Sequence, residues 1–340
     1  MILALGAGAG AARADSSAEV TVILNPEGER LAQELGLDTE AFRTQAADKI
    51  ASALQVAEVQ RFLRSFANAT SFSNRGVGAD YASNAEGWVF GFAANLALSV
   101  DLGGGAEIPT VGFAPAFALM GGLNLSRWRH PEISLFANAF HSSGDSGQLR
   151  GGITNLGLHA QYKLFTPTRG KKRYVIQWGG LDFTTGVELA RWSFGLHQEL
   201  EASFDLAGVG AEASLDAGVS GRFDVGATTV TLPVEVSTNV RFLYVLSGYL
   251  GLGLDAQLGR ASVGAGVEGH LRGALPGEME QTVAEVSVSA QGRNRPSAVG
   301  YHLLLGLQAN LWRVKLFTQV NLQPSTELNV ALALGARLVL

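Results

Sequence analysis

Residues 298–340, AVGYHLLLGLQANLWRVKLFTQVNLQPSTELNVALALGARLVL, decide how the rest of the chain is read. Val299, Tyr301, Leu303, Leu305, Leu307 and Leu311 make one apolar row, with Ala309 its small member. Gly300, His302, Gly306, Gln308 and Asn310 make the opposite row, broken only by Leu304. Beyond Trp312 the alternation restarts as Val314, Leu316, Val320 and Leu322 against Lys315, Gln319 and Asn321. It restarts again as Val330, Leu332, Leu334, Leu338 and Leu340 against Ala331, Ala333, Gly335 and Arg337. A period of two means β-strand, because successive side chains point to opposite faces. Three strands of about ten residues, joined by tight turns, with one oily face and one small or polar face, describe a transmembrane β-barrel. A half-buried soluble sheet alternates too, but seldom so regularly to its last residue.

Composition agrees. The 340 residues suffice for one large domain or two ordinary ones, 47% are hydrophobic and only 16% charged, against about 25% charged in soluble domains. A mean hydropathy of +0.17 is too oily for a soluble surface and too dilute for a helical membrane protein. After the start the sequence has no apolar run long enough for a transmembrane helix. A barrel resolves the conflict, since alternation hides its hydrophobicity from a sliding average, and the 43 glycines suit tight turns and small inward positions. The absence of Cys excludes a disulfide scaffold and a thiolate metal site or nucleophile. With a net charge of -5 there is no basic patch to hold nucleic acid.

The N-terminal part differs. Residues 1–14, MILALGAGAGAARA, end in the A-x-A pattern Ala12-Arg13-Ala14 and read as the later part of a secretory signal peptide without its basic start. Residues 15–85 read as a helical preface. Glu19–Leu24 is a short apolar strand, and Asn25-Pro26 starts a helix to about Leu35. Asp38 caps a second helix, whose stripe of Phe42, Ala46, Ile50 and Leu54 continues through Val59, Phe62, Leu63 and Phe66. Asn68–Asn84 reads as polar loop. This preface could plug the barrel, cap its periplasmic mouth, bind a periplasmic partner, or be a plain appendage.

Residues 86–340 form the barrel. Trp88–Leu102 alternates most cleanly, followed by Val111–Leu125 and strands near 131–141, 149–165 and 174–189, the last with a parity change at Gly179-Gly180 that suggests a β-bulge. Shorter strands near 191–206, 208–224, 226–241, 242–257, 259–273 and 281–291, with the final three, bring the count to about 14, with 12 as the fallback even number. With both termini periplasmic, the basic turns Ser126–Arg129, Thr168–Arg173 and Trp312-Arg313 lie at the periplasmic rim. The loops GGGAEIP, HSSGDSGQ, QGRNRPS and QPSTE lie at the outer one. The turn Ala274–Glu280 does not fit that scheme.

Catalytic chemistry is not legible. His141 and Ser142 are adjacent on a strand, so they face opposite ways and cannot pair as base and nucleophile. The six His residues show no metal-ligand grouping, and GLGLDAQLG near 251–259 opens no helix as a phosphate loop would. Asp182 and Glu188 face inward as part of a solvated lumen. The lumen candidates are Asn95, Asp101, His159, Gln161, Lys163, His302, Gln308, Asn310, Lys315, Gln319, Asn321 and Arg337. Mixed signs argue against strong ion selectivity, and a count near 14 argues for a cavity rather than a filled interior.

A signal, a helical N-terminal segment, a polar linker and a barrel in that order resemble the long-chain fatty-acid transporter family of outer-membrane barrels. The resemblance is one of architecture, covers most of the mature chain, and finds only a partial echo of that family's Asn-Pro-Ala signature in Asn25-Pro26-Glu27-Gly28. It implies passive uptake of hydrophobic molecules, an N-terminal plug and lateral exit through the wall, and no site residue is carried over. The expectation is therefore a bacterial outer-membrane channel or transporter surrounded by outer-membrane lipid, with a small hydrophobic ligand and no cofactor. The alternatives are a structural or scaffold barrel whose preface binds a partner, and an outer-membrane hydrolase.

Overall fold

The computed structural model describes residues 15–26, 29–30, 33, 56–83, 85–101, 110–166, 175–205, 214–273, 281–324 and 327–340. Alternating sequence becomes strand almost everywhere. The strands are β1 (Asp15–Leu24), β2 (Trp88–Asp101), β3 (Val111–Leu125), β4 (His130–Ser146), β5 (Leu149–Phe165), β6 (Ile176–Asp205), β7 (Ser214–Phe242), β8 (Leu246–Gly273), β9 (Gln281–Asn294), β10 (Val299–Leu311), β11 (Val314–Pro324) and β12 (Glu327–Val339). Among the described residues one long helix, α1 (Val56–Phe72), precedes β2. Every pairing is antiparallel, and the ring β8-β10-β11-β12-β2-β3-β4-β5-β6-β7 closes on itself because β7 also pairs β8. Closure pairs the wall strands around the circumference, as a spanning sheet requires, except along part of the β3–β4 boundary.

The expected architecture of an antiparallel barrel with an N-terminal helix holds, but the count does not. The stretches read as 174–189 with 191–206, 208–224 with 226–241, and 242–257 with 259–273 are the single strands β6, β7 and β8. β6 alone has 30 residues, against the 9–11 that span a bilayer. These strands run on past the oily band, where polar residues and glycines replace the apolar row and imitate a turn. The segment QGRNRPS, expected as a loop, lies within the wall. β9 and β10 succeed one another along the same edge of β8, facing Ala261–Gly273 and Leu246–Ala256 respectively. HSSGDSGQ is likewise mostly the end of a hairpin, with Gly147 in the left-handed region at φ 62.

The two rims differ. One carries the 3-10 turn Ser126–Trp128, the turn at Leu243-Tyr244 and the turn at Trp312-Arg313. Leu243, Tyr244 and Trp312 all have positive φ there. Trp128, Tyr244 and Trp312 stand exposed, as an interfacial girdle does. The opposite, loop rim carries the tall extension of β6–β9, with β1 added along β9 from Asp15↔Arg293 to Leu24↔Ala284. Asp15, level with Ser262, and Val339, beside Val89 at the turn rim, therefore lie on opposite sides of the oily band, not both at the periplasmic rim. β8 ends at Gly273 and β9 begins at Gln281, both at the loop side; the stretch 274–280 that did not fit the expected scheme lies outside the described residues. Glu29 N–H bonds Asn25 C=O at 3.0 Å, the first turn of the helix expected at Asn25-Pro26. The signal-like residues 1–14, the second helix from Asp38 and the basic turn 168–173 lie outside the described residues.

Gly180 sits at φ 104 where the β6–β7 register slips between Trp178 and Leu181, confirming the bulge. The wall has one seam. The β3–β4 ladder starts at Leu119↔Ala139, so Val111–Ala118 has no ladder partner on that side and Phe140–Ser146 pairs with β5 alone.

Candidate functional site

The inward rows are not lining an empty tube. Helix α1 and the turns after it run through the lumen from the loop rim to the turn rim. Leu63, Phe66 and Ala67 pack against Val225, Ala227, Ala261 and Val263 near the loop side. Phe72 packs on Ala97 and Ala331 midway. Ala79, Tyr81 and Ala82 pack with Val89, Met120, Phe136, Tyr249 and Leu304 lower down. Leu304, the break in the inward polar row, is thus a contact for this insert. Of Asn68–Asn84, expected as polar loop, residues 68–72 end α1 and residues 73–83 are buried turns.

An irregular backbone in a lumen must find partners for its peptide groups, and the wall supplies them. Asn95 Nδ2 donates to the Ser73 and Arg75 carbonyls (2.5 and 3.1 Å), and Asn321 Nδ2 to Arg75 (3.3 Å). Gln161 Nε2 donates to the Asp80 carbonyl (3.3 Å), Asn239 Nδ2 to Tyr81 (3.0 Å) and an Arg241 Nη to Ser83 (3.1 Å). Arg337 lies over the Phe317 ring, 3.8 Å from its centroid, and donates to Ala79 O, Asp80 Oδ1 and Gln308 Oε1 at 2.8, 3.2 and 3.3 Å. Near the loop side Asn68 Nδ2 donates to Glu327 Oε2 at 2.6 Å, and Ser71 Oγ to Gln257 at 2.9 Å.

At the centre sits a charge cluster. Arg75, on the turn after α1, places its guanidinium 2.8 Å from Asp255, 3.2 Å from Glu188 and 4.0 Å from Glu235. His302 bridges two of the acids, Nδ1 to Asp255 at 3.0 Å and Nε2 to Glu235 at 3.1 Å. Tyr81 Oη donates to Glu235 Oε2 at 2.6 Å. His159 Nε2 approaches Glu188 at 3.6 Å. Glu235, Gly253 and His302 are one cross-strand row, and only glycine between them lets the two side chains meet. Burial pulls the Arg75 guanidinium down, but Asp255, Glu188 and Glu235 together hold it above its ordinary value. Burial, then the charge of Glu235, pushes the Tyr81 hydroxyl well above the ordinary tyrosine value.

All twelve lumen candidates fall on inward rows. Asn95, His159, Gln161, His302, Gln308, Asn310, Gln319, Asn321 and Arg337 are buried around the insert. Lys163 pairs with Asp182 at 3.1 Å, Lys315 donates to the Trp312 carbonyl, and Asp101 ends β2 beside Thr110, all three only partly buried. Asp182 and Glu188 do face inward, but paired and buried rather than solvated. Among the described residues, ten strands and an internal segment make a filled interior at the level of the insert, not the wide cavity that 14 strands would leave. Sequence reading missed Glu235, Asp255, Arg75, Asp80 and Tyr81. A signal existed for the first: Thr229, Thr231, Glu235, Ser237 and Asn239 alternate with Val230, Leu232, Val234, Val236 and Val240. None exists for residues 75–81, whose turns carry no period. His141 accepts or donates a bond with Thr154 Oγ1 at 2.9 Å on the outer surface, away from any acid of this cluster.

Several solved structures align with the chain at low scores. The toluene transporter TbuX of Ralstonia pickettii aligns at 10% identity and TM-score 0.25, covering 75% of this chain and 90% of that one. A Pseudomonas aeruginosa FadL homologue aligns at 9% and 0.26, covering 74% and 90%. The translocator domain of the autotransporter NalP from Neisseria meningitidis aligns at 8% and 0.30, covering 75% and 89%. At such scores the likeness singles out no activity. No curated protein matches the sequence. The outer-membrane location rests on the closed ring itself, with its oily outer band and polar interior. The model of the Lsa36-like family matches residues 15–339, barrel and insert together, and the chain belongs to that family.

Proposed function

We propose that the protein is an outer-membrane channel for small hydrophobic molecules, plugged by residues 56–83, with a lateral route through the wall. The observation that carries this reading is the seam between β3 and β4. Where the ladder stops, rings take its place: Phe117 lies 5.3 Å from Phe140, and Phe113 lies 6.1 Å from Trp192. Trp192 in turn meets Phe66 of α1 at 5.1 Å and Phe194 at 6.2 Å. An aromatic strip thus leads from the plug helix to an unzipped part of the wall, an environment that suits an apolar solute better than an ion. The division into a 15–85 segment and an 86–340 barrel belongs to the same reading: residues 56–83 pack inside the ring, while β1 joins the wall beside β9.

The test uses the natural absence of Cys. Proteoliposomes carrying the full chain should accumulate an apolar aromatic fluorophore faster than empty ones. Bridging Phe117→Cys to Phe140→Cys with a short bis-maleimide should remove that uptake, while the unbridged pair retains it. Uptake that ignores the bridge, or is absent without it, overturns the proposal. The filled lumen favours a second reading, a scaffold barrel whose preface binds a partner, and absence of uptake together with a co-purifying protein would point there.

A further inference from the structure

The outward rows can be followed from strand to strand, and they show where the oily band stops. Ala139, Leu156, Leu189, Val230 and Leu258 are paired in succession across β4–β8. Two residues nearer the loop rim, the same pairing gives His141, Thr154, Arg191, Thr228 and Arg260. Two further on it gives Ser143, Gly152, Ser193, Gly226, Ser262 and, on β9, Arg293. An apolar row is therefore followed by a cationic one and then by a floor of glycine and serine. Over that floor lies a concavity of about 800 Å³, which Arg150, Asp224, Arg260 and Arg293 also line.

The concavity is lined by Arg150, Arg260 and Arg293 against Asp145 and Asp224, one positive charge in excess, with Arg191 in the row beside it. Asp224 is already held by Arg150 at 2.9 Å and Arg222 at 2.5 Å. Arg191, Arg260 and Arg293 form no ion pair among the described residues. Arg191 and Arg260 flank Thr228 on neighbouring strands, which sets their backbones roughly 10 Å apart. The feature belongs to one side of the barrel. On the short side the outward rows of the described strands end on Val100, Val111, Leu322 and Val299, none of them a cation. Arginines that merely anchored the barrel at the interface would recur around the whole rim.

We propose that this basic, glycine-floored concavity on the outer wall of β5–β9 holds the phosphate-bearing headgroup of an anionic outer-leaflet lipid. Its chains would lie against Leu156, Leu189, Val230 and Leu258, directly below. Arg260 and Arg293 line the concavity and meet the phosphate, Arg191 reaches it from the cationic row just below, and the missing side chain at Gly226 lets a bulky headgroup approach the sheet. The site is independent of transport and needs only a membrane-embedded barrel.

Native mass spectrometry of the full chain in detergent tests it, with phosphatidylglycerol, phosphatidylcholine and inorganic phosphate as separate probes. Phosphatidylglycerol should remain bound. The R191Q/R260Q/R293Q variant should lose roughly 100-fold of that affinity at low salt while phosphatidylcholine binding stays the same. Heat-modifiable gel migration checks that the variant is folded. Should it not fold, Arg260→Gln alone carries the comparison, with roughly fivefold loss expected. Unchanged phosphatidylglycerol affinity in the folded variant overturns the proposal. So does displacement of the lipid by an equal concentration of inorganic phosphate, which would make this a site for a soluble anion.

Discussion

Arg75 Nη2 lies 2.8 Å from an Asp255 oxygen, and neither side chain reaches solvent. The pair joins the insert to the wall across 180 residues of sequence and brings Glu188 and Glu235 under the same guanidinium. Removing Arg75 leaves three buried carboxylates facing one another. Removing one partner of a buried pair costs about 3–5 kcal/mol. Arg75→Ala should therefore release the insert at lower denaturant than the barrel itself unfolds. Limited proteolysis within 56–83, compared with heat-modifiable migration of the ring, separates the two events. Simultaneous loss of both would show that insert and ring are one cooperative unit.

Gly253 keeps His302 and Glu235 in contact, and a Cβ there would enter the space of both side chains. Overpacking of this kind costs about 1–3 kcal/mol. Gly253→Val should lower the thermal midpoint of the far-UV signal, while Gly264→Val, at a glycine with open space around it, should leave it nearly unchanged.

Phe66 is buried in the helix face that meets Trp192. Truncating a buried Phe to Ala costs about 3–5 kcal/mol. Phe66→Ala should loosen the loop-side half of α1 first, seen as a red shift and greater quenching of Trp192 fluorescence with the other four Trp replaced by Phe. Unaltered Trp192 emission would mean that the helix is held by its polar contacts alone.

Tyr81 gives a pH signature. Its hydroxyl is held well above the ordinary value near 10. Below that pH both folded and unfolded chains keep the proton. Above it the unfolded chain releases the proton and the folded one cannot, so stability falls as pH rises from about 10. Tyr81→Phe should lose about 1.5–3 kcal/mol at neutral pH with the bond to Glu235. It should also show a shallower decline above pH 10, measured as denaturation midpoint against pH. Parallel curves for the two proteins would assign the alkaline loss elsewhere.

The strand class and the two faces of the wall were legible because alternation is a local property. Lys163, His302, Gln319 and Arg337 could be placed inward from their neighbours alone, since a side chain two residues from an inward one must also point inward. The bulge at Gly180 was legible for the same reason, as a slip of parity. Strand ends were not. β6, β7 and β8 leave the oily band without leaving the sheet, and the change to Gly, Ser, Thr and Arg on the outer face looks locally like a turn.

What the sequence by itself determined was a closed, membrane-facing sheet and the chemistry of its inner lining. What only the tertiary structure decided was the size of the ring, the rim at which Asp15 lies, and the fact that the lumen is filled. Those depend on pairings such as β7 with β8 around the circumference, and on Arg75 meeting Glu188, Glu235 and Asp255 from three different strands. No period in the chain encodes such meetings, because the residues are far apart in sequence and one of them lies in turns that have no period at all.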